Sequence, residues 1–371
     1  MFSDKAKKHA DACRFCWMCR HVCPVGQQTG KEVNTARAKG LLVSLNTRGT
    51  EFDGSFARAM YECCLCAACA NDCVTGYNPP LFIREARTKA VVEGLVPPEV
   101  QTVIGRLLDT GNLYGLPGES RPDFLKEALK GLPGKADTVL YLGGIAPYKA
   151  PAMISAVASL LKKAGVSFAV LQDEAPSGAY LGDLIGFVEE VRVQAAACAG
   201  QLDGAGAKTV IVLDPIDARM MRQQYSEWNC APRAEIVTAT SYIAGLIREG
   251  KLKPSIAPAS EAVTCHDPSA LARDLDETQP VREIIAAMGL DLKEMFLHKR
   301  LTRSSGGALM NEYAPEIVKL TARARIEDAR RLGIHTMITA SPNSFSVLSE
   351  YAPSDVRVQD IFGLLDGRCQ K

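Results

Sequence analysis

The sequence lacks long apolar runs, although 47% of its 371 residues are hydrophobic. No stretch approaches the roughly 18 to 20 consecutive apolar residues that a membrane-spanning helix needs. The first twelve residues are polar and lack the apolar segment of a secretion signal. We therefore expect a cytoplasmic protein, which reaches the inner face of a membrane only through a partner. A chain of this length is expected to fold as two or three domains.

The sequence also lacks an excess of charge of either sign, with 43 Lys and Arg against 42 Asp and Glu. This balance argues against the basic surface that nucleic-acid binding requires. A full dinucleotide fingerprint and a P-loop are absent as well. The first forty residues are nevertheless basic, which indicates either a solvated face or a docking patch for an acidic partner. The charged residues there are Lys5, Lys7, Lys8, Arg14, Arg20, Lys31, Arg37 and Lys39, against Asp4, Asp11 and Glu32.

Cysteine, by contrast, is abundant and unevenly placed. Of 13 cysteines, all but Cys198, Cys230, Cys265 and Cys369 lie before residue 74. The count is odd and a secretion signal is lacking, so disulfide bonds are a poor explanation. Metal binding is the alternative that the clustering favours.

Two cysteine arrays share the spacing C-x2-C-x2-C-x3-C. Structural zinc usually takes two well-separated C-x2-C pairs, which does not fit this pattern. The spacing is that of two [4Fe-4S] clusters, in which the fourth cysteine of each array ligates the other cluster. Cys64 lies outside the register, so we do not expect it to be a ligand. The predicted ligands are Cys13, Cys16, Cys19 and Cys73 for the first cluster, and Cys63, Cys66, Cys69 and Cys23 for the second.

The segment between the arrays has helical periodicity at 32–45 and 55–62. Helical spacers indicate an α-helical ferredoxin domain, which we expect over residues 1–95. A region rich in Gly and Pro follows, and we interpret residues 96–135 as a linker that carries helices at 99–109 and 123–130.

From residue 136 onward, predicted strands alternate with predicted helices, which favours parallel sheets covered by helices. The segment GAGAKTVIVLDP aligns with RLGIHTMITASP, which indicates an internal repeat. We place the first α/β unit at 136–258 and the second at 259–371. The predicted fold is therefore α+β overall: a helical domain with two clusters, then two pseudo-repeated α/β units. Strands are predicted at 138–142, 167–171, 209–213, 235–238, 262–264 and 336–339, and the longest helices at 181–202, 218–228 and 309–331.

The arrays and the two repeats together resemble the iron–sulfur subunits that carry CCG-type cysteine-rich domains. Examples are the catalytic D subunit of heterodisulfide reductase, the glycolate oxidase iron–sulfur subunit and the C subunit of anaerobic glycerol-3-phosphate dehydrogenase. The likeness covers nearly the whole chain. HDPSALAR at 266–273 is similar to the HDPC-x-L-x-R segment of that family, and LYLGGIAPYK at 140–149 is similar to its LYLGC segment.

The departures from the family pattern concern its cysteines, which in the family bind a further iron–sulfur centre where substrate chemistry occurs. Hydroxyl groups do not replace thiolates around iron and sulfide, so we expect no cluster in the C-terminal region. That region is then either a degenerate scaffold that docks partners or a pocket for another ligand. The pocket would use Asp214, Asp217, Cys265, His266, Asp267, Ser269 and residues 304–307. The positions that replace family cysteines are Gly144, Ser177, Asp214, Asp217, Ser269, Ser304, Ser305, Ser341 and Ser344.

The resemblance implies an electron-transfer subunit of an oxidoreductase complex that is not catalytic alone. Electrons would pass between a FAD-containing dehydrogenase partner and a quinone, an electron-transfer flavoprotein or another carrier. The flavin would lie in the partner, and the complex would be a hetero-oligomer. Two alternatives remain open: an oxidoreductase whose C-terminal repeats retain a catalytic or flavin-contacting site without a cluster, and a structural adaptor of a larger redox complex.

Overall fold

The computed structural model describes residues 2–117, 123–256 and 262–370, without the side chain of Phe124. Residues 2–117 form helices and loops only. The predicted helix at 32–45 is divided there, because Thr35 ends a 3-10 turn at Glu32–Asn34 and caps the following α-helix by accepting from the Ala38 amide at 3.2 Å. The helices are α1 Asp4–Asp11, α2 Met18–Val22, α3 Pro24–Thr29, α4 Ala36–Asn46, α5 Gly54–Tyr61, α6 Ala68–Asn71, α7 Pro79–Val92 and α8 Pro98–Thr110.

Residues 123–370 add two parallel sheets. The first has the order β1-β2-β3 and the second the order β5-β4-β6-β7. Ala169 forms an isolated parallel bridge with Val139 on the free side of β1, which is the position that β5 occupies beside β4. The two sheets therefore share one strand order, as an internal repeat predicts. The strands are β1 Thr138–Tyr141, β2 Thr209–Val212, β3 Glu235–Thr238, β4 Ala262–His266, β5 Asp291–Leu292, β6 Thr336–Thr339 and β7 Arg357–Asp360.

Equivalent turns also recur in the two units. The helix after β3 begins where Thr238 accepts a hydrogen bond from the Ser241 amide, and the helix after β7 begins where Asp360 accepts one from the Gly363 amide. The helices of these units are α9 Asp123–Leu129, α10 Ala146–Lys149, α11 Pro151–Lys163, α12 Ala179–Ile185, α13 Glu189–Gly204, α14 Pro215–Arg219, α15 Tyr225–Glu227, α16 Ala239–Arg248, α17 Gln279–Ala287, α18 Ala308–Asn311, α19 Pro315–Arg330, α20 Pro342–Tyr351 and α21 Ile361–Asp366; π-helical segments lie at Met220–Gln224 and Ala270–Asp274, and a 3-10 turn at Lys299–Leu301.

Three further sequence predictions need correction. The predicted strand at 167–171 is reduced to the single bridge at Ala169. The predicted helix at 181–202 is broken at Gly186, whose φ of +80° suits glycine and whose added Cβ would lie 1.9 Å from the Thr88 hydroxyl of α7. The predicted helix at 309–331 is broken before Pro315, which lacks the amide that an inner helical turn needs.

The core follows the alternation of side chains along the strands. Val139 and Tyr141 face a hydrophobic cluster shared with the helical region, whereas Leu140 and Leu142 face a second cluster. That second cluster includes Val263 and residues of both sheets, so the two α/β units bury part of their cores against each other. We find no helix within the described ranges with the length and apolar character to cross a membrane. The predicted boundary at 258/259 lies outside the described residues, and the other domain boundaries stay predictions.

A buried ionic network joins the helical region to the first unit. The Asp183 carboxylate of α12 pairs with Arg84 of α7 at 2.9 Å and with Arg219 of α14 at 3.1 Å. Burial opposes its ionisation, yet the two arginines hold the pKa of Asp183 below its usual value. The packing of α7 against the first α/β unit therefore depends on an ion-paired network that is buried away from water.

Candidate iron–sulfur site

The two cysteine arrays fold into equivalent loops. Phe15 and Trp17 have φ values of +56° and +68°, and Leu65 and Ala67, at the same positions of the second array, have +50° and +58°. Residues other than glycine rarely adopt this left-handed backbone conformation. Its recurrence at the same two positions of both arrays therefore indicates that the two loops have the same backbone conformation. In each loop an amide donates to the first thiol at 3.4 Å, from Phe15 to Cys13 and from Leu65 to Cys63.

The fourth cysteine of the first array lies beside the second loop. Cys23 precedes α3, and its sulfur accepts a hydrogen bond from the Gly26 amide at 3.4 Å. One cavity is bordered by Cys23, Cys63, Cys66 and Cys69, which are the four ligands predicted for the second cluster, and by Cys64 as well. Burial raises the pKa of Cys23 to about 11, and the thiols of Cys63 and Cys66 add to the effect.

The fourth cysteine of the second array lies beside the first loop. Burial raises the pKa of Cys19 to about 11, and the neighbouring thiols of Cys13, Cys23, Cys16 and Cys73 raise it further. Cys73 thus lies near Cys19 of the first array, as the crossed ligand assignment requires. That assignment itself stays a prediction.

The donor set fits a cubane. We find no group of three or more His, Cys, Asp or Glu side chains, in the part of the chain that is described, with the geometry of a single-ion site. A cubane does not need such convergence, because each thiolate binds a separate iron. Thiols that resist ionisation when crowded and buried are deprotonated when iron binds them.

Cys64 has a different relation to the site. It forms a side-chain hydrogen bond with Cys66, and this bond raises the pKa of Cys64. The same bond, more than the charge of Arg273, lowers the pKa of Cys66 to about 6. The Cys64 thiol is therefore the donor and the Cys66 sulfur the acceptor. Cys64 borders the same cavity as the four predicted ligands, and its exclusion from the ligand set stays a prediction.

Three buried cations surround the second loop. Of these, the sequence placed Lys39 in a basic solvated face or docking patch, which is wrong for this buried residue, and it assigned neither Arg87 nor Arg273 to the site. Arg87 donates to the carbonyl of Cys63 at 2.6 Å, and Arg273 donates to the carbonyl of Cys66 at 2.6 Å. Lys39 borders the cavity and donates to the carbonyl of Val33 at 3.1 Å. Burial lowers the pKa of Lys39, and the nearby thiols of Cys63 and Cys23 oppose that shift. Only Arg273 has a signal in the sequence, as the last residue of HDPSALAR.

In the first α/β unit, the positions that replace family cysteines come together. Tyr180 donates to the Asp214 carboxylate at 2.5 Å, and Ser177 donates to that of Asp217. Burial raises the pKa of Asp214 to about 6, and burial and Asp214 raise that of Asp217 well above its usual value. Asp217 borders a cavity with Gly144 and Ser177, and among the described atoms its Oδ2 has no hydrogen-bond partner.

In the second unit, two other residues of the predicted pocket, His266 and Asp267, are bound by arginines. Asp267 pairs with Arg282 at 2.8 Å, and His266 Nδ1 accepts from Arg325 at 3.1 Å. Burial lowers the pKa of His266 well below its usual value, and the positive charge of Arg325 lowers it further, so the imidazole is neutral. Burial also raises the pKa of Cys265. The structure thus forms one group around Asp214 and Asp217 and another around residues 265–267.

The chain has relatives over most of its length, although no protein-family model matches it. It is 25% identical to the D subunit of the dihydromethanophenazine:CoB–CoM heterodisulfide reductase of Methanosarcina barkeri, over 96% of this chain and 93% of the relative. It is 23% identical to the probable iron–sulfur-binding oxidoreductase FadF of Bacillus subtilis, over 82% of this chain and 46% of the relative. It is 24% identical to the EtfAB:quinone oxidoreductase of Syntrophomonas wolfei, over 75% of this chain and 45% of the relative.

The class that the thiol arrays and these relatives define is that of iron–sulfur, electron-transferring subunits of oxidoreductases. Within it, the chain is related to the D subunit of heterodisulfide reductase and to FadF-type oxidoreductases. The resemblance predicted from the sequence is confirmed.

Proposed function

We propose that the chain relays electrons through two [4Fe-4S] clusters between a FAD-containing dehydrogenase and a quinone, an electron-transfer flavoprotein or another carrier. The observation that carries the proposal is the cavity that Cys23 of the first array borders together with Cys63, Cys64, Cys66 and Cys69, because it joins the two arrays in one site. The first cluster would take Cys13, Cys16, Cys19 and Cys73. Each cubane, when bound, accepts and releases one electron.

The charged residues around each cluster would set how stable its reduced form is. Lys39, Arg87 and Arg273 place positive charge, away from water, against the second loop. Positive charge near a cluster favours its reduced form, and burial strengthens the effect. The cations would thus make the second cluster easier to reduce than its burial alone allows.

The domain assignment belongs to the same proposal. We assign residues 1–95 to an α-helical ferredoxin domain, 96–135 to a linker, and 136–258 and 259–371 to degenerate CCG-like units. The relatives include a reductase subunit and an EtfAB:quinone oxidoreductase, which supports a hetero-oligomer. We assign the flavin to a partner subunit. We place the complex in the cytoplasm or at the inner face of a membrane.

A second candidate function, a ligand site without a cluster, is favoured by one observation. Asp217 and Asp214 are buried together, and the Oδ2 of Asp217 has no hydrogen-bond partner among the described atoms, beside a cavity in the first unit. Such a site would make the chain an enzyme in its own right.

Electron transfer with the purified protein separates the two functions. We expect the isolated, cluster-loaded chain to oxidise no small organic substrate with an artificial acceptor. With the flavoprotein that co-purifies with it, the same chain should transfer electrons from the substrate to a quinone. Cys16→Ser should abolish that transfer, and Cys230→Ser, which changes a cysteine outside both arrays, should not. Substrate oxidation by the isolated chain that Asp217→Asn abolishes would establish the enzyme instead.

A further inference from the structure

The two equivalent cysteine loops differ in their exposure to solvent. In the first loop Phe15, Trp17 and Met18 are 54%, 42% and 52% exposed. In the second, Leu65 at the position of Phe15 is only 6% exposed, and Ala68 at the position of Met18 is buried as well. One backbone conformation thus carries three large exposed apolar side chains in one copy, and a buried leucine, a half-buried alanine and a buried alanine in the other.

The second loop is covered by the chain itself. Arg273 binds the carbonyl of Cys66, and Arg300 donates to the side chain of Asn71 at 3.2 Å, immediately after the loop. Tyr313 donates to the carbonyl of Tyr61 at 3.2 Å, just before it. The C-terminal unit therefore packs against the second loop, and Leu65 and Ala67 of that loop border a cavity that Met220 of the first unit also lines.

The exposed side chains of the first loop are held in place. The Arg37 guanidinium lies 4.3 Å from the centre of the Trp17 ring and 5.5 Å from that of Phe15, and Arg20 lies 5.3 Å from Trp17. Glu32 pairs with Arg20 at 3.4 Å and with Arg37 at 3.3 Å. The rings are thus fixed before any partner arrives, which reduces the entropy that binding must overcome.

The surroundings of this loop are basic. Arg14 and Arg20 are exposed beside the rings, in the segment whose lysines and arginines outnumber its acidic residues. Cys16, a predicted ligand, is exposed at the centre of the loop, and Val74, which follows the ligand Cys73, is 96% exposed. An apolar centre with a charged rim is the composition of a protein–protein interface.

We propose that Phe15, Trp17 and Met18, with Arg14, Arg20 and Arg37, form the surface on which an acidic redox protein docks to exchange electrons with the first cluster. This inference rests on the proposed function. In the step, one electron passes from the reduced cofactor of the partner to the first cubane. The partner is oxidised by one electron, the cubane is reduced by one electron, and no bond or proton is transferred.

A redox protein fits this face better than a lipid surface does. Rings that insert into a bilayer must point outward, whereas these lie against guanidinium groups that Glu32 also binds. The face is centred on a predicted cluster ligand, so a partner seated there would bring its cofactor next to the cluster. Complementary charge would speed its approach at low ionic strength.

The test uses the rate at which a reduced, acidic [2Fe-2S] ferredoxin reduces the clusters of the full chain under anaerobic conditions. One variant, Phe15→Leu with Trp17→Ala, copies the residues of the second loop, which tolerates them at positive φ. A second variant, Arg20→Glu, reverses a charge on the face. Its matched control is Arg233→Glu, at a side chain that is 90% exposed in the first α/β unit. Reduction by dithionite verifies that every variant retains its clusters.

We expect the ferredoxin rate to fall with added salt, and to fall by about tenfold or more in both face variants. Arg233→Glu should retain the rate of the wild type, and dithionite should reduce all proteins alike. Equal ferredoxin rates in Arg20→Glu and Arg233→Glu, with normal dithionite reduction, would overturn the docking surface alone. The docking surface would also be overturned if the wild type bound anionic phospholipid vesicles and the face variants did not. The same holds if the wild type formed a dimer that the face variants abolished. A chain that dithionite cannot reduce would contradict the proposed function itself.

Discussion

Replacement of Arg273 by Met should lower the reduction potential of the second cluster and leave that of the first nearly unchanged. The guanidinium donates to the carbonyl of Cys66 at 2.6 Å and to that of Thr302 at 2.8 Å, and it is 8% exposed. Methionine fills a similar volume but has no charge. The reduced cluster carries one more negative charge than the oxidised one, so loss of the cation destabilises the reduced form more.

The size of the shift follows from Coulomb's law. A unit charge about 7 Å from the added electron, at an effective dielectric constant of about 20, stabilises the reduced state by about 2.4 kcal/mol, or roughly 100 mV for one electron. Arg273→Lys keeps the charge and should change the potential by less than about a third of that amount. Arg248→Met, at an exposed pair with Glu283, is the matched control and should have no effect.

The assay is a redox titration followed by electron paramagnetic resonance, with Cys66→Ser used to identify the signal of the second cluster. We expect Arg273→Met to shift that signal alone. Unchanged potentials for both clusters, or a shift confined to the signal that Cys66→Ser retains, would refute the proposed position of the second cluster.

Three further results are expected. Cys64→Ser should leave the iron content of the purified protein unchanged, because Cys64 donates to Cys66 and is not a predicted ligand, whereas Cys16→Ser should lose iron. Loss of iron from Cys64→Ser would show that the register is wrong. Asp183→Asn should lower the free energy of unfolding at neutral pH by about 3 to 5 kcal/mol, because Arg84 and Arg219 would stay buried without their carboxylate. Urea titrations measure this change, and a change within experimental error would show that the network is not stabilising. Burial raises the pKa of Asp217 well above its unfolded value, so native stability is lost as the pH rises from the unfolded pKa through the raised pKa. Asp217→Asn should remove part of this loss, and a dependence of the unfolding temperature on pH equal to that of the wild type would contradict it.

The elements that the sequence predicted well are those that local pattern determines. The strand at Glu235–Thr238 and the strand at Thr336–Thr339 have the predicted bounds, because each is a short β-favouring segment. The break before Pro315 had a visible signal, since proline is excluded from inner helical turns. The strand at Arg357–Asp360 had none, because it contains a single apolar residue and pairs only with β6.

Tertiary contacts account for what the sequence could not reveal. The break at Gly186 depends on its approach to Thr88, which lies 98 residues earlier in the chain, and an isolated helix would continue through it. At the candidate site, the spacing of the arrays predicts eight thiol ligands and an exchange of fourth ligands, and this assignment stays a prediction. The charges beside them could not be predicted: Arg273 is 207 residues from Cys66, and no periodicity links the two. The opposite exposure of the two loops likewise requires knowing where the C-terminal unit packs.

Iron and sulfide analysis of anaerobically purified protein, with spin quantification after reduction, tests the central claim most directly. Two cubanes held by the eight array cysteines predict about eight iron and eight sulfide per chain and two reducible paramagnetic centres. About twelve iron would mean that the serine-substituted units hold a third centre. The absence of any reducible iron–sulfur signal would contradict the account as a whole.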